Sequence, residues 1–121
     1  MTTGGWVRLI NLTPHAVTLW REQDPALTIP PDGRFARLDE EWVPGCPLLV
    51  GDVEVPIAAV TYRGVEDLPE PQAGVAFVVS RVLAAAVPDR RDLYFPADEV
   101  RDASGRVIGC RRLGTFWSLH E

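Results

Sequence analysis

Val75-Ala-Phe-Val-Val-Ser-Arg-Val-Leu-Ala-Ala-Ala-Val-Pro88 decides the fold. Its first five residues are an unbroken apolar run rich in β-branched and aromatic side chains, the pattern of a strand buried on both faces. Ser80 is placed to cap a helix start, its hydroxyl accepting from an amide of the first turn. Residues 81–87 then read as a helix with Val82, Leu83, Ala86 and Val87 on one face. Pro88 stops it, since proline lacks the amide that a further turn requires. A helix of about two turns is too short to stand alone in water, so it must pack on a sheet.

Toward the N-terminus, residues 64–74 hold Pro69 and Pro71 and read as a stiff loop. Residues 53–63 read as one long strand, with Pro56 inside it marking an edge or a bulge. Residues 40–51, interrupted by Pro44, Gly45 and Pro47, read as a surface loop with a weak strand at 48–50, and residues 35–38 as a short strand. Residues 23–33 contain three prolines and read as a loop. Residues 6–12 and 16–21 read as two strands around a tight turn at Thr13-Pro14-His15.

Toward the C-terminus, residues 93–95 begin a strand, and residues 98–113 read as a hairpin turning at 102–105. Gly105 falls where a bulged hairpin turn needs a positive φ. The expected fold is α+β: one domain over residues 1–121, a mostly antiparallel β-sheet with one short helix, residues 80–87, packed on it.

A chain of 121 residues buries roughly two-thirds of its unfolded surface and needs no disulfide or metal staple. Cys46 and Cys110 are therefore expected as reduced thiols. Residues 1–5 are short and polar, not a secretory leader, and no apolar run approaches the roughly 18 residues of a membrane helix. A cytoplasmic protein that meets no membrane is expected. The net charge of −5 disfavours duplex nucleic acid. That charge is uneven: residues 1–80 hold 11 acids and 5 Arg, while residues 81–121 hold 6 acids and 7 Arg, so an anion site belongs in the last third. All 12 basic residues are Arg, whose planar fork suits carboxylate and phosphate, although a GC-rich genome also favours Arg chain-wide.

Two constellations carry candidate chemistry. In Asn11-Leu-Thr-Pro-His15 the turn gathers Asn11, Thr13 and His15, either as ligand-facing groups or as side chains that cap the turn itself. In the hairpin, Arg101, Arg106 and Arg111 offer guanidinium groups, either to an anion or to the neighbouring acids Asp98, Glu99 and Asp102. Gly109 marks a bulge or a close approach by a backbone or ligand. Cys110 is the candidate nucleophile by residue type, with His15 or His120 as its base, although a strand cysteine also serves as a small core residue. Two cysteines and two histidines at these spacings match no zinc pattern, and no phosphate loop or dinucleotide fingerprint is present, so neither metal nor cofactor is expected. The tryptophans Trp6, Trp20, Trp42 and Trp117 lack the interleaved basic residues of a single-strand binder and read as core and rim.

Asn11-Leu-Thr-Pro-His15, Leu68-Pro-Glu-Pro-Gln72, Phe77-Val-Val-Ser80, Asp92-Leu-Tyr-Phe-Pro96 and Val100-Arg-Asp-Ala-Ser-Gly-Arg-Val-Ile-Gly-Cys110 together resemble a small family of bacteriophage, prophage and actinobacterial proteins. The resemblance covers most of residues 8–113, except for residues 23–51. It carries no catalytic residue over. It implies a phage lifestyle, in which small acidic proteins act by binding host proteins or signalling molecules. Three functions follow. The first is a non-enzymatic protein that sequesters a phosphorylated or nucleotide-type small molecule, such as a defence signal, through Asn11, Thr13, His15, Arg101, Arg106 and Arg111. The second is a protein–protein interaction or structural module that binds a host factor. The third is a small-ligand hydrolase or transferase using His15 or Cys110. Non-enzymatic binding is preferred because no catalytic signature is present, and assembly with further copies of the chain stays open.

Overall fold

The computed structural model describes residues 7–117. The expected roles of Trp6 in the first strand and of His120 as a base lie outside the described residues. The chain is mostly β-sheet with one short helix. The strands are β1 (Arg8–Asn11), β2 (Val17–Arg21), β3 (Asp24–Ile29), β4 (Arg37–Pro44), β5 (Leu48–Val50), β6 (Val53–Val55), β7 (Ala58–Glu66), β8 (Val75–Val78), β9 (Leu93–Arg101) and β10 (Val107–Gly114), with α1 (Arg81–Ala86) between β8 and β9.

Six strands form the main sheet in the order β1-β8-β9-β10-β2-β3, while β4 with β7 and β5 with β6 form two-stranded ribbons. Among the described residues four of seven strand pairs are antiparallel. Within the main sheet, however, β1 with β8, β8 with β9 and β10 with β2 are parallel. The sheet is thus mixed. The parallel β8–β9 pair is made by the crossover through α1, as a parallel connection requires.

β8 is flanked by β1 and β9 and buried on both faces. Ile10 and Phe77 share one face, joining Leu12, Val79, Leu83, Ala84, Leu93 and Phe95 in the larger core cluster. Val78 points the other way, into a smaller cluster with Val17 and Cys110. The Ser80 hydroxyl accepts from the amide of Leu83 at 3.2 Å and starts α1. The helix buries Leu83 and Ala84, whereas Val82 and Ala86 are exposed, so its apolar face is turned from the one the spacing predicts. In six residues the face is set by contact with β9, not by periodicity.

The sheet curls until its first and last strands meet. The Asp32 amide donates to the Asn11 carbonyl at 2.9 Å, and Asn11 bridges Pro31. The residues expected as a loop at 23–33 include β3, which accommodates Pro25 because it is an edge strand. Residues 40–51 are likewise not simply a loop. β4 continues through them to Pro44, and the long strand expected at 53–63 is broken at Pro56 and Ile57 into β6 and β7. The result is a long hairpin arm whose base, Leu38 opposite Val65, packs on the larger core. Every residue from 40 to 64 is exposed.

Candidate functional site

The turn after β1 is built by Asn11, which is only 1% exposed. Its Nδ2 donates to the carbonyls of His15 at 2.8 Å and Ile29 at 3.0 Å. Its Oδ1 accepts from the Thr13 amide at 2.9 Å, and the Thr13 hydroxyl lies 2.7 Å from it. That hydroxyl is also 2.9 Å from the His15 carbonyl and donates its one proton to either acceptor. Both amide protons and the Oδ1 of Asn11 find partners within the protein, so its side chain organises the site without facing into it. His15 is exposed beside it.

The hairpin of β9 and β10 turns on Asp102. Its Oδ1 accepts from the Ser104 amide at 2.9 Å, the Ser104 hydroxyl at 2.7 Å and the Arg106 amide at 3.0 Å. The Ser104 hydroxyl, followed by the Arg106 amide, holds the Asp102 carboxyl below the usual carboxylate range. Gly105 has φ +87°, the left-handed conformation the turn requires. Arg101 donates to Glu99 Oε2 at 2.8 Å and to the Gly105 carbonyl at 2.7 Å. Arg106 lies 3.4 Å from Asp102, and Arg111 donates to the Glu22 carbonyl at 2.7 Å, beyond the opposite side of β10. The three arginines therefore do not converge.

The turn and the hairpin do meet. Between them lies a cavity of about 440 Å³. Val17, Val79, Ile108 and Cys110 supply apolar lining, and Thr13, His15, Thr18, Ser80 and Glu99 supply polar groups. Of the six ligand-binding residues expected from the sequence, Thr13 and His15 line this cavity, and Gly109 and Cys110, singled out on other grounds, line it too. Asn11 lies behind it, Arg101 reaches its edge through Glu99, and Arg106 and Arg111 are not among its lining residues. Ser80 and Glu99 were not foreseen as site residues. Ser80 was legible only as a cap, and Glu99 only as a partner for arginine.

Cys110 is 1% exposed, and burial pushes its thiol up, away from the thiolate a nucleophile requires. Cys110 packs with Val17 and Val78 as a small core residue. Both cysteines are free thiols, Cys46 exposed and Cys110 buried. Gly109 serves both readings offered for it: the β9–β10 register shifts between Val107 and Gly109, and the Thr18 carbonyl of β2 approaches it closely.

A second cavity, of about 470 Å³, lies at the base of the arm beside Arg34 and Arg37. Its cations are already committed: Arg34 pairs with Asp32 at 2.7 Å and Arg37 with Glu66 at 3.0 Å. Among the described residues no three His, Cys, Asp or Glu side chains gather as a metal site, and no helix is long and apolar enough to cross a membrane. No protein-family model matches the chain, and no match is found among curated proteins or solved structures.

Proposed function

We propose that the chain is a non-enzymatic binding protein that holds a small molecule where the Asn-Leu-Thr-Pro-His turn meets the β9–β10 hairpin. One observation carries the reading: two segments 80 or more positions apart line a single cavity of about 440 Å³, within the usual range of small-molecule sites. The mixed lining suits a flat ring with polar edges. The imidazole of His15 and the hydroxyls of Thr13, Thr18 and Ser80 would orient it against Val17 and Ile108. An anionic tail would meet Arg101 at the edge, held in place by Glu99. A nucleoside or nucleotide has this shape and polarity. Arg106 and Arg111 have no part in this reading, because neither lines the cavity nor bonds through its side chain to a residue that does.

The test is a thermal-shift and calorimetric screen of nucleosides and nucleotides against the full chain and against Val107→Trp, in which an indole would obstruct the cavity at an exposed position. At least one compound should raise the melting temperature of the parent and not of the variant. Arg101→Ala should weaken a nucleotide about tenfold and leave the matching nucleoside unchanged. If no compound binds, or if Val107→Trp binds equally well, the cavity is not the site.

A further inference from the structure

The arm of β4, β5, β6 and β7 is exposed throughout residues 40–64 and presents large apolar side chains to water, Trp42 at 64% and Leu49 at 73% exposure among them. Leu48, Val50, Val53 and Tyr62 are exposed with them. A two-stranded ribbon with no third strand and no covering face is marginal in water. Its unpaired edges and apolar surface are the features that drive association.

The arm also has a charge signature. Residues 40–64 hold four carboxylates, Glu40, Glu41, Asp52 and Glu54, against the single Arg63. A surface of the opposite kind lies on the body of the same chain. There a groove of about 400 Å³ crosses β10, β2 and β3, lined by Leu19, Trp20, Leu27, Arg21, Arg111 and Arg112. Its apolar residues sit among three guanidinium groups: Arg112 lies 3.3 Å from the exposed Asp98, Arg111 donates only to the neutral Glu22 carbonyl, and among the described residues Arg21 makes no ion pair. One surface is apolar and acidic, the other apolar and basic, and one chain carries both.

We infer that the arm of one copy lies in the Arg21–Arg111–Arg112 groove of a second copy, and that the exchange is reciprocal in a two-fold dimer. A two-fold pair uses each surface once per chain and closes without leaving an arm over. Residues 40–64 alone fall within the roughly 20–30 residues that a stable interface uses on each side. Charge sets the register and the apolar residues supply the affinity.

Sedimentation of the full chain over a concentration series tests this, with two charge-reversed variants. Glu40→Arg with Glu41→Arg alters the arm, and Arg111→Glu with Arg112→Glu alters the groove. All four positions are exposed, so circular dichroism of each variant should match the parent. The parent should be a dimer. Each variant alone should dimerise about a hundredfold more weakly, at about tenfold for each of the two arm–groove contacts of the two-fold pair. Mixing the two variants should restore a mixed dimer, because the acidic arm of one then meets the basic groove of the other, and the reverse. In the parent, amides of residues 40–64 should gain hydrogen-exchange protection as concentration rises. A parent that stays monomeric, variants that dimerise as well as the parent, or a mixture that stays monomeric would each overturn the inference.

Discussion

Gly109 and Trp20 leave no room for a side chain between them: a Cβ at position 109 would stand 2.5 Å from the indole Nε1 and 2.5 Å from the Thr18 carbonyl oxygen. The contact lies where β10 meets β2, strands that among the described residues pair at Cys110 and Leu19. Gly109→Ala should therefore push the two strands apart and cost about 1–3 kcal/mol by overpacking. Trp20→Ala removes the indole but leaves the Thr18 carbonyl, so the double variant should recover part of the loss. A double-mutant cycle in urea measures that coupling. Full additivity of the two substitutions would show that the indole does not set the limit.

Asn11 holds the two edges of the sheet together through its bond to Ile29 and fixes the turn after β1 through its bond to His15. Asn11→Leu keeps the volume and removes the donors, leaving buried carbonyls unmet, so it should cost about 2–4 kcal/mol in denaturant unfolding. Thr13→Val should cost less, since it removes one hydroxyl at a half-buried position.

Arg90 clamps the loop before β8 to the start of β9. Its guanidinium meets Asp92 through two bonds of 2.8 Å and donates to the Pro69 carbonyl at 2.9 Å. The side chain is about four-fifths buried. Arg90→Ala should lower stability by about 1.5–3 kcal/mol. Arg90→Lys should recover little of that, because an ammonium cannot reproduce the fork. Near-complete rescue by lysine in the same unfolding assay would refute the bidentate role.

Asp102 should give the hairpin a pH dependence. Its folded carboxyl titrates below the usual carboxylate range. The stabilisation is therefore present above the carboxyl value of the unfolded chain and is lost as pH falls through the lower folded value. A carboxyl NMR titration should place Asp102 below the usual carboxylate range, and Asp102→Asn should flatten the acid limb of the stability curve. An Asp102 that titrates at the ordinary carboxylate value would contradict this.

Thiol reagents should separate the two cysteines. Exposed Cys46 should react in the native protein, and buried Cys110 only after unfolding. One equivalent should therefore be modified without denaturant and two with it, and melting temperatures with and without reductant should coincide. Rapid native labelling of Cys110 would mean that the β10–β2 seam opens.

The β8–α1 unit and the β9–β10 hairpin were legible in the sequence because their signals are local. An apolar run, a capping serine, a stopping proline and Asp-Ala-Ser-Gly each act within a few residues of the structure they specify. β3 was not legible, because Pro25 argues against a strand unless the strand lies at an edge, and edge position is a property of the assembled sheet. The arm escaped for a related reason. Pro44, Gly45, Pro47 and Pro56 read as breaks, but here they mark the joint where β4 and β7 give way to β5 and β6. In the site, Thr13 and His15 were legible as a polar turn, whereas Ser80 and Glu99 became site residues only when distant strands paired. The arginines misled because sequence proximity in a hairpin does not fix direction. Arg101 turns to Glu99 and Gly105, and Arg111 to Glu22.

The parallel register of Arg8 with Val75 imposes an order on folding. β1 leaves the ribosome long before β8 exists, and closing that long loop costs entropy that only the finished pairing returns. The stretch from β8 to β10, in contrast, joins neighbours in sequence and carries Phe77, Leu83, Leu93 and Phe95 of the larger cluster within itself. The segment from β8 to β10 is then the expected nucleus. β1, although it precedes that segment in the chain, waits unpaired until the nucleus offers it an edge.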